Sequence, residues 1–241
     1  MDYRGQKYWV IGASEGLGRA VAQQLHAQGA QLILSARSAE KLVALAADLG
    51  AHALPMDIAD LSDCKRAVAE AGHVDGVILA AGVYWPSAPD TWEPEQIETM
   101  CNINFTGIAR VLSLLVPDMV ARDTGHIVLI GSLSGFRGLP GAFGYASSKA
   151  GMMHMAESLQ AELHRTNVRV QLINPGFIRT RLTAKNGFRM PFILSPEAAA
   201  RAVIAAMARR RFQTSFPWVF SLLFRGSRFL PASLYYRFFG R

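Results

Sequence analysis

The chain predicts an α/β fold, a doubly wound parallel sheet of about seven strands with helices on both faces. Three observations carry this expectation. Short apolar runs alternate with longer helical patterns, the rhythm of consecutive βαβ units. The first run opens directly into a glycine-rich loop and a helix, and later runs end at Gly82 and Gly131. The 241 residues, 51% hydrophobic and 18% charged, suit one large domain over 1–216 with an extension at 217–241.

Residues 8–12 (Tyr-Trp-Val-Ile-Gly) read as a buried strand that enters Gly12-Ala13-Ser14-Glu15-Gly16-Leu17-Gly18, followed by a helix stopped at Gly29. Glycines allow a tight turn and close backbone approach. The helix N-terminus offers unpaired N–H groups and a positive dipole end to a pyrophosphate. Strand, glycine loop and helix in this order point to dinucleotide binding rather than to a simple turn. Residues 32–36 form the second strand, and Arg37 follows it. An acid there would accept from the ribose hydroxyls of NAD, whereas an arginine pairs with a 2′-phosphate. Arg37 therefore leans to NADP(H), the alternative being a solvated surface arginine. Glu15 opposes an extra phosphate if it points inward.

Residues 39–49 read as a helix stopped at Gly50, and 52–56 as the third strand. Asp57 and Ile58 follow at that strand's carboxyl end. Two roles fit Asp57: a ligand contact at the sheet's open end, or a cap on the next helix together with Asp60 or Ser62. Residues 77–81 form the fourth strand, ending at Gly82, and a Pro- and Trp-rich loop at 84–94 suits a pocket wall. A long helix over 96–122 is expected to be distorted near Asn104, because a mid-helix asparagine competes for backbone hydrogen bonds. Residues 126–131 are the fifth strand, with Ser132 and Ser134 just beyond, and 168–173 the sixth, ending in Asn174-Pro175-Gly176. An irregular segment over 177–191 suits a mobile flap. Ser195-Pro196-Glu197 starts a helix with an N-cap, a proline and an early acid. Residues 211–216 can supply a seventh strand.

Tyr145 and Lys149 stand four residues apart, one turn along the same helix face. That spacing aims a phenol and an ammonium at a shared point, where the cation favours the phenolate and makes the tyrosine an acid/base. The nearby methionines, Met152, Met153 and Met155, suit packing better than ligation. The six histidines are scattered and share no helix face at ligand spacing, so no metal site is expected. Cys64 and Cys101 lack a CxxC spacing and read as inert thiols in a reducing compartment. Residues 1–7 show no secretory pattern, which makes the cytoplasm the expected location.

The net charge of +7 belongs to one end of the chain. Residues 209–241 hold seven arginines and no acid, while the remainder balances 18 basic against 18 acidic side chains. A protein-wide nucleic-acid function is thereby disfavoured. The same 33-residue stretch holds ten of the 23 aromatics. Three roles fit it: packing on the domain or a second copy as part of the substrate entrance, peripheral contact with an anionic membrane surface, and nucleic-acid binding. The first two are compatible, and the third has no supporting reader fold. Its apolar run at 217–224 is too short to span a bilayer.

Taken together, these features resemble the short-chain dehydrogenase/reductase family over residues 7–211 and imply its Rossmann-type fold. Gly12, Gly16 and Gly18 match the family's cofactor loop, which also contains Ser14, Glu15 and Leu17. Asp57, with Ile58 beside it, matches the adenine-contacting acid. Ala80-Ala81-Gly82 stands at the family's Asn-Ala-Gly strand end. Asn104, Ser132, Tyr145 and Lys149 fall at its catalytic tetrad, and Pro175, Gly176, Ile178 and Thr180 at its nicotinamide-side segment.

The resemblance implies that Tyr145 exchanges a proton with the substrate oxygen and Ser132 hydrogen-bonds that oxygen. Lys149 would hold the nicotinamide ribose and promote the phenolate, and Asn104 would position a water serving Lys149. It also implies a homo-oligomer, dimer or tetramer, through the helices carrying Asn104 and Tyr145. Two departures stand out. Ala80 replaces an asparagine, so a side-chain anchor is missing, and an unusual tail follows residue 216. The expected function is an NADP(H)-dependent oxidoreductase acting on the carbonyl or alcohol of an apolar, lipid-like substrate. The alternative is a non-catalytic NADP(H)-sensing protein on the same fold.

Overall fold

The computed structural model describes residues 2–240. In chain order the elements are β1 (Lys7–Ile11), α1 (Gly16–His26), β2 (Gln31–Ser35), α2 (Ala39–Leu49), β3 (His52–Ala53), α3 (Leu61–Ala71) and β4 (Gly76–Leu79). Next come α4 (Pro94–Cys101), α5 (Ile108–Ala121), β5 (Gly125–Ile130), α6 (Phe143–Leu163), β6 (Val168–Pro175), α7 (Pro196–Met207) and β7 (Gln213–Phe216). Helices α8 (Trp218–Ser227) and α9 (Ala232–Phe239) close the chain. The seven strands form one parallel sheet in the order β3-β2-β1-β4-β5-β6-β7. The order reverses beside β1, and at such a switch the crevice beyond the strand ends is the natural ligand site.

Strand side chains alternate between two cores, which is why the strands read as unbroken apolar runs. Trp9, Ile11, Val77, Leu79, Ile127 and Leu129 face one layer, covered by α3, α5 and α6. Tyr8, Val10, Leu32, Leu34, Ile78 and Val128 face the other, covered by α1, α2 and α7. The stretch Pro94–Ala121 has the length and hydropathy to cross a membrane. It is instead a core helix, since Ile108, Val111, Leu112, Leu115 and Met119 recur at helical spacing and are buried.

Three local expectations are resolved. The third strand, expected over 52–56, is only His52–Ala53. It lies on the sheet edge, and Pro55 has no N–H to donate, although Leu54 and Met56 still donate to Leu34 and Ala36 at 2.8 and 3.2 Å. The distortion expected near Asn104 is a π-helical turn, Asn102–Gly107, joining α4 to α5. Asp60, rather than Asp57, caps α3, accepting from the N–H groups of Ser62 and Asp63. Asp57 turns its own carboxylate back to the Ala59 N–H at 2.9 Å.

The last two helices pack on the domain. Phe220 and Tyr235 are buried, and the Tyr235 hydroxyl donates to the Gly138 carbonyl at 2.6 Å. The Arg137 guanidinium lies 3.8 Å over the Tyr235 ring and donates to the carbonyls of Ser227 and Leu230.

Candidate active site

The site begins with the loop after β1. Gly12 adopts φ +93°, and a Cβ there would lie 2.5 Å from the Ala81 nitrogen. A Cβ on Gly18 would overlap the Gly12 carbonyl. The loop can fold this tightly against the end of β4 only with glycine at both places. The N-cap residue Glu15 makes no side-chain bond to the start of α1, whose first-turn N–H groups face the cleft's ligand end. Gly16 sits opposite Thr180, whose methyl would be 3.1 Å from an added Cβ.

This cradle is one end of a cleft of about 860 Å³ beyond the carboxyl ends of the strands. Gly12, Ser14, Glu15, Gly16, Leu17 and Gly18 line it from the first loop, and Arg37, Asp57 and Ile58 from the next two strand ends. Ala81 and Gly82 form its floor, and Pro175, Gly176, Ile178 and Thr180 its far wall. Arg37 is exposed at the rim, and among the described residues no carboxylate pairs with it. Glu15 is held by Arg181 at 2.6 Å and lies 3.6 Å from Lys41. Burial pushes its carboxyl up, but those two cations outweigh this and hold it below the usual range. Its charge is therefore already compensated.

The other end of the cleft holds Ser132, Tyr145 and Lys149. Ser132 begins the turn after β5, where its hydroxyl bonds Ser134 at 2.9 Å. Tyr145 and Lys149 project from the first two turns of α6. Burial pushes the Tyr145 phenol up to about 12, although a hydrogen bond with Ser132 pulls the other way. Burial also pushes the Lys149 ammonium down to about 8 while it donates to the Ile130 carbonyl at 2.9 Å. A Cβ on Gly82 would lie 3.4 Å from Asn104 Oδ1 and 3.8 Å from Lys149 Nζ, so these side chains converge on that floor.

Asn104 stands behind the wall rather than in it. It is fully buried, and its Oδ1 accepts from the Val83 N–H at 2.8 Å. Its Nδ2 donates to the Val83 carbonyl at 2.9 Å and to Ser148 Oγ at 3.1 Å. The π turn thus staples the chain just past β4, where Ala80 supplies no side-chain anchor.

The 84–94 loop lines the cleft as a wall, with contacts that the sequence did not specify. The Tyr84 ring meets Tyr145 edge-on at 4.9 Å, and its hydroxyl donates to Asn186 at 2.9 Å. Lys185 donates to the Tyr84 carbonyl at 2.8 Å and sits over Trp85. These contacts tie the 84–94 loop to the 177–191 flap. Phe220 and Phe224 of α8 also line the cleft. The aromatic richness of the tail had suggested a place at the entrance, but not which of its rings turn inward.

A glycine cradle, an uncapped helix start and a phenol–ammonium pair in one cleft define a dinucleotide-dependent oxidoreductase. Residues 6–189 match the family model for short chain dehydrogenase. An uncharacterized oxidoreductase of Myxococcus xanthus (strain DK1622) is 36% identical over 235 residues, covering 94% of this chain and 93% of that protein. The nodulation protein G of Rhizobium sp. (strain N33) is 33% identical, covering 89% and 86%. Among solved structures, a short-chain dehydrogenase from Sphingobium yanoikuyae in complex with NADPH superposes with a TM-score of 0.83 at 27% identity, covering 92% and 91%. A serine dehydrogenase complexed with NADP+ gives 0.80 at 25% identity, covering 87% and 94%. The chain belongs to the short-chain dehydrogenase/reductase family and is an NAD(P)-dependent oxidoreductase.

Proposed function

We propose that this protein is an NADP(H)-dependent oxidoreductase for the carbonyl or secondary alcohol of an apolar substrate. The observation that carries the reading is the division of the cleft. One half is a glycine cradle ending at the free Arg37 guanidinium, and the other is a phenol, a hydroxyl and an ammonium beneath aromatic walls. Gly12, Gly16, Gly18 and the start of α1 would hold the pyrophosphate, Asp57 and Ile58 the adenine, and Arg37 the 2′-phosphate. The pairing of Glu15 with Arg181 and Lys41 removes its objection to that phosphate. When bound, the nicotinamide supplies or accepts the hydride.

The chain's own groups do the rest. Ser132 and Tyr145 hold the substrate oxygen, and Tyr145 delivers the proton as negative charge develops there. Lys149, one turn along α6 from Tyr145, would hold the ribose. Asn104 Oδ1 has a second lone pair, which suits it to a water that returns protons to Lys149. Tyr84, Phe177, Phe220 and Phe224 exclude water from the reacting end and select apolar groups. The neighbouring structures bound to NADPH and NADP+ support the cofactor choice by likeness.

We place the protein in the cytoplasm, consistent with its free Cys64 and Cys101. We further propose a homo-oligomer, dimer or tetramer, through the π turn and α6, where the exposed ring of Phe105 lies beside Gly151. Titrating NADPH and NADH into the wild type and Arg37→Ala tests the cofactor. NADPH should bind the wild type at least about tenfold tighter, with the difference lost in the variant, as expected for one charge-assisted contact. Equal affinity for both cofactors in the wild type would remove the assignment.

A further inference from the structure

We propose that the outer face of α8 docks on an anionic lipid surface, so that apolar substrate reaches the cleft from the bilayer. The route rests on the apolar-substrate reading above; the docking does not. Helix α8 is apolar on both sides. Its inner face, Phe220 and Phe224, lines the cleft, and Phe220 packs on Phe177 and Phe192 at 5.8 and 5.6 Å. Its outer face carries Trp218, Val219, Leu222 and Leu223, with Trp218 67% and Leu223 52% exposed. An apolar helix face this exposed is normally covered by something outside the chain's own fold. The described residues leave this outer side exposed.

Charge identifies what covers it. Arg225 and Arg228, at and just beyond the end of α8, are exposed, and among the described residues neither pairs with a carboxylate. Residues 209–241 contain no acid at all. Aromatic and aliphatic side chains bordered by unpaired arginines complement the boundary of an anionic leaflet. A second copy seated on this face would have to bring carboxylates to Arg225 and Arg228, and residues 209–241 supply none. Nucleic acid would engage the cations but leave Val219, Leu222 and Leu223 uncovered. The surface is preformed, because Tyr235 and Arg137 fasten the tail to the loop before α6. The patch lies on the reverse of the helix that walls the cleft.

The test is co-sedimentation of the full chain with vesicles of phosphatidylcholine plus phosphatidylglycerol, and with phosphatidylcholine alone. Wild type should sediment with the anionic vesicles. Leu222→Glu/Leu223→Glu should reduce binding at least about tenfold, and Arg225→Ala or Arg228→Ala about fivefold each, with NADPH affinity unchanged as the check on folding. With substrate delivered in vesicles, the glutamate pair should raise KM and leave kcat alone. Wild type that ignores anionic vesicles, or a glutamate pair that binds them equally, would overturn the docking. So would a patch whose substitution only dissociates a dimer or only releases an oligonucleotide. An unchanged KM would overturn the route. A chain that oxidises NADPH but ignores vesicles would refute the docking and leave the reaction standing. One that binds vesicles but turns over nothing would support the docking and refute the reaction.

Discussion

Burial acts on Tyr145 and Lys149 in opposite senses, and both favour the neutral form. The phenol is pushed up to about 12 and the ammonium down to about 8. The direction of catalysis should therefore show in its pH dependence. Reduction needs the phenol, the form that burial favours. Its rate should hold on the acid side and fall as rising pH removes the proton. Alcohol oxidation needs the phenolate, so its kcat/KM should climb as pH rises toward the phenol's value. Measuring kcat/KM in both directions across pH checks the sign, and an oxidation rate that falls with rising pH would exclude Tyr145 as the base.

Between elements, the π turn carries the most specific structural task. Asn104→Ala would leave the half-buried N–H and carbonyl of Val83 without their side-chain partners. The loss should be about 1–3 kcal/mol, read as a lower urea midpoint, with cofactor affinity also weakened because the floor at Gly82 moves. An unchanged midpoint would contradict the staple. Local signals were legible in the sequence: the glycine loop from its spacing, the strand ends from small residues, and the π turn from one asparagine inside a helix. The short β3 was not, since its length depended on an edge position and on Pro55. Nor were the contacts of Tyr84 with Asn186 and of Glu15 with Arg181, which join positions 102 and 166 residues apart. Pairings at such distances are set by topology, and no periodicity encodes them. The inward turn of Phe220 and Phe224 was hidden for the same reason: an aromatic-rich helix does not state which face it buries.

Across the whole molecule, chemistry and stability sit at opposite ends of the sheet. The site lies beyond the carboxyl ends of the strands, while His126 is buried near their starts between Tyr8 and Gln171. Gln171 spends its amide N–H groups on backbone carbonyls, so its oxygen accepts from His126 Nε2, which leaves Nδ1 as the acceptor facing the Tyr8 hydroxyl at 2.7 Å and the Arg169 guanidinium at 2.8 Å. The ring is thereby fixed as neutral. Burial and the nearby Arg169 push it down to about 3. On acidification the unfolded chain takes up this proton while the native state refuses it. Stability is thus intact above the unfolded value of about 6.5 and declines as pH falls toward the native one. The urea midpoint should drop between about pH 7 and pH 5, and His126→Asn, though less stable, should show a smaller drop. An equal drop in the variant would place the acid sensitivity elsewhere. The central claim, that Tyr145 passes the proton in this cleft, is tested most directly by single-turnover NADPH oxidation with Tyr145→Phe on an apolar 3-oxo substrate. Tyr145→Phe should lose about a thousandfold with NADPH affinity nearly unchanged. Turnover within a few fold of wild type would contradict it.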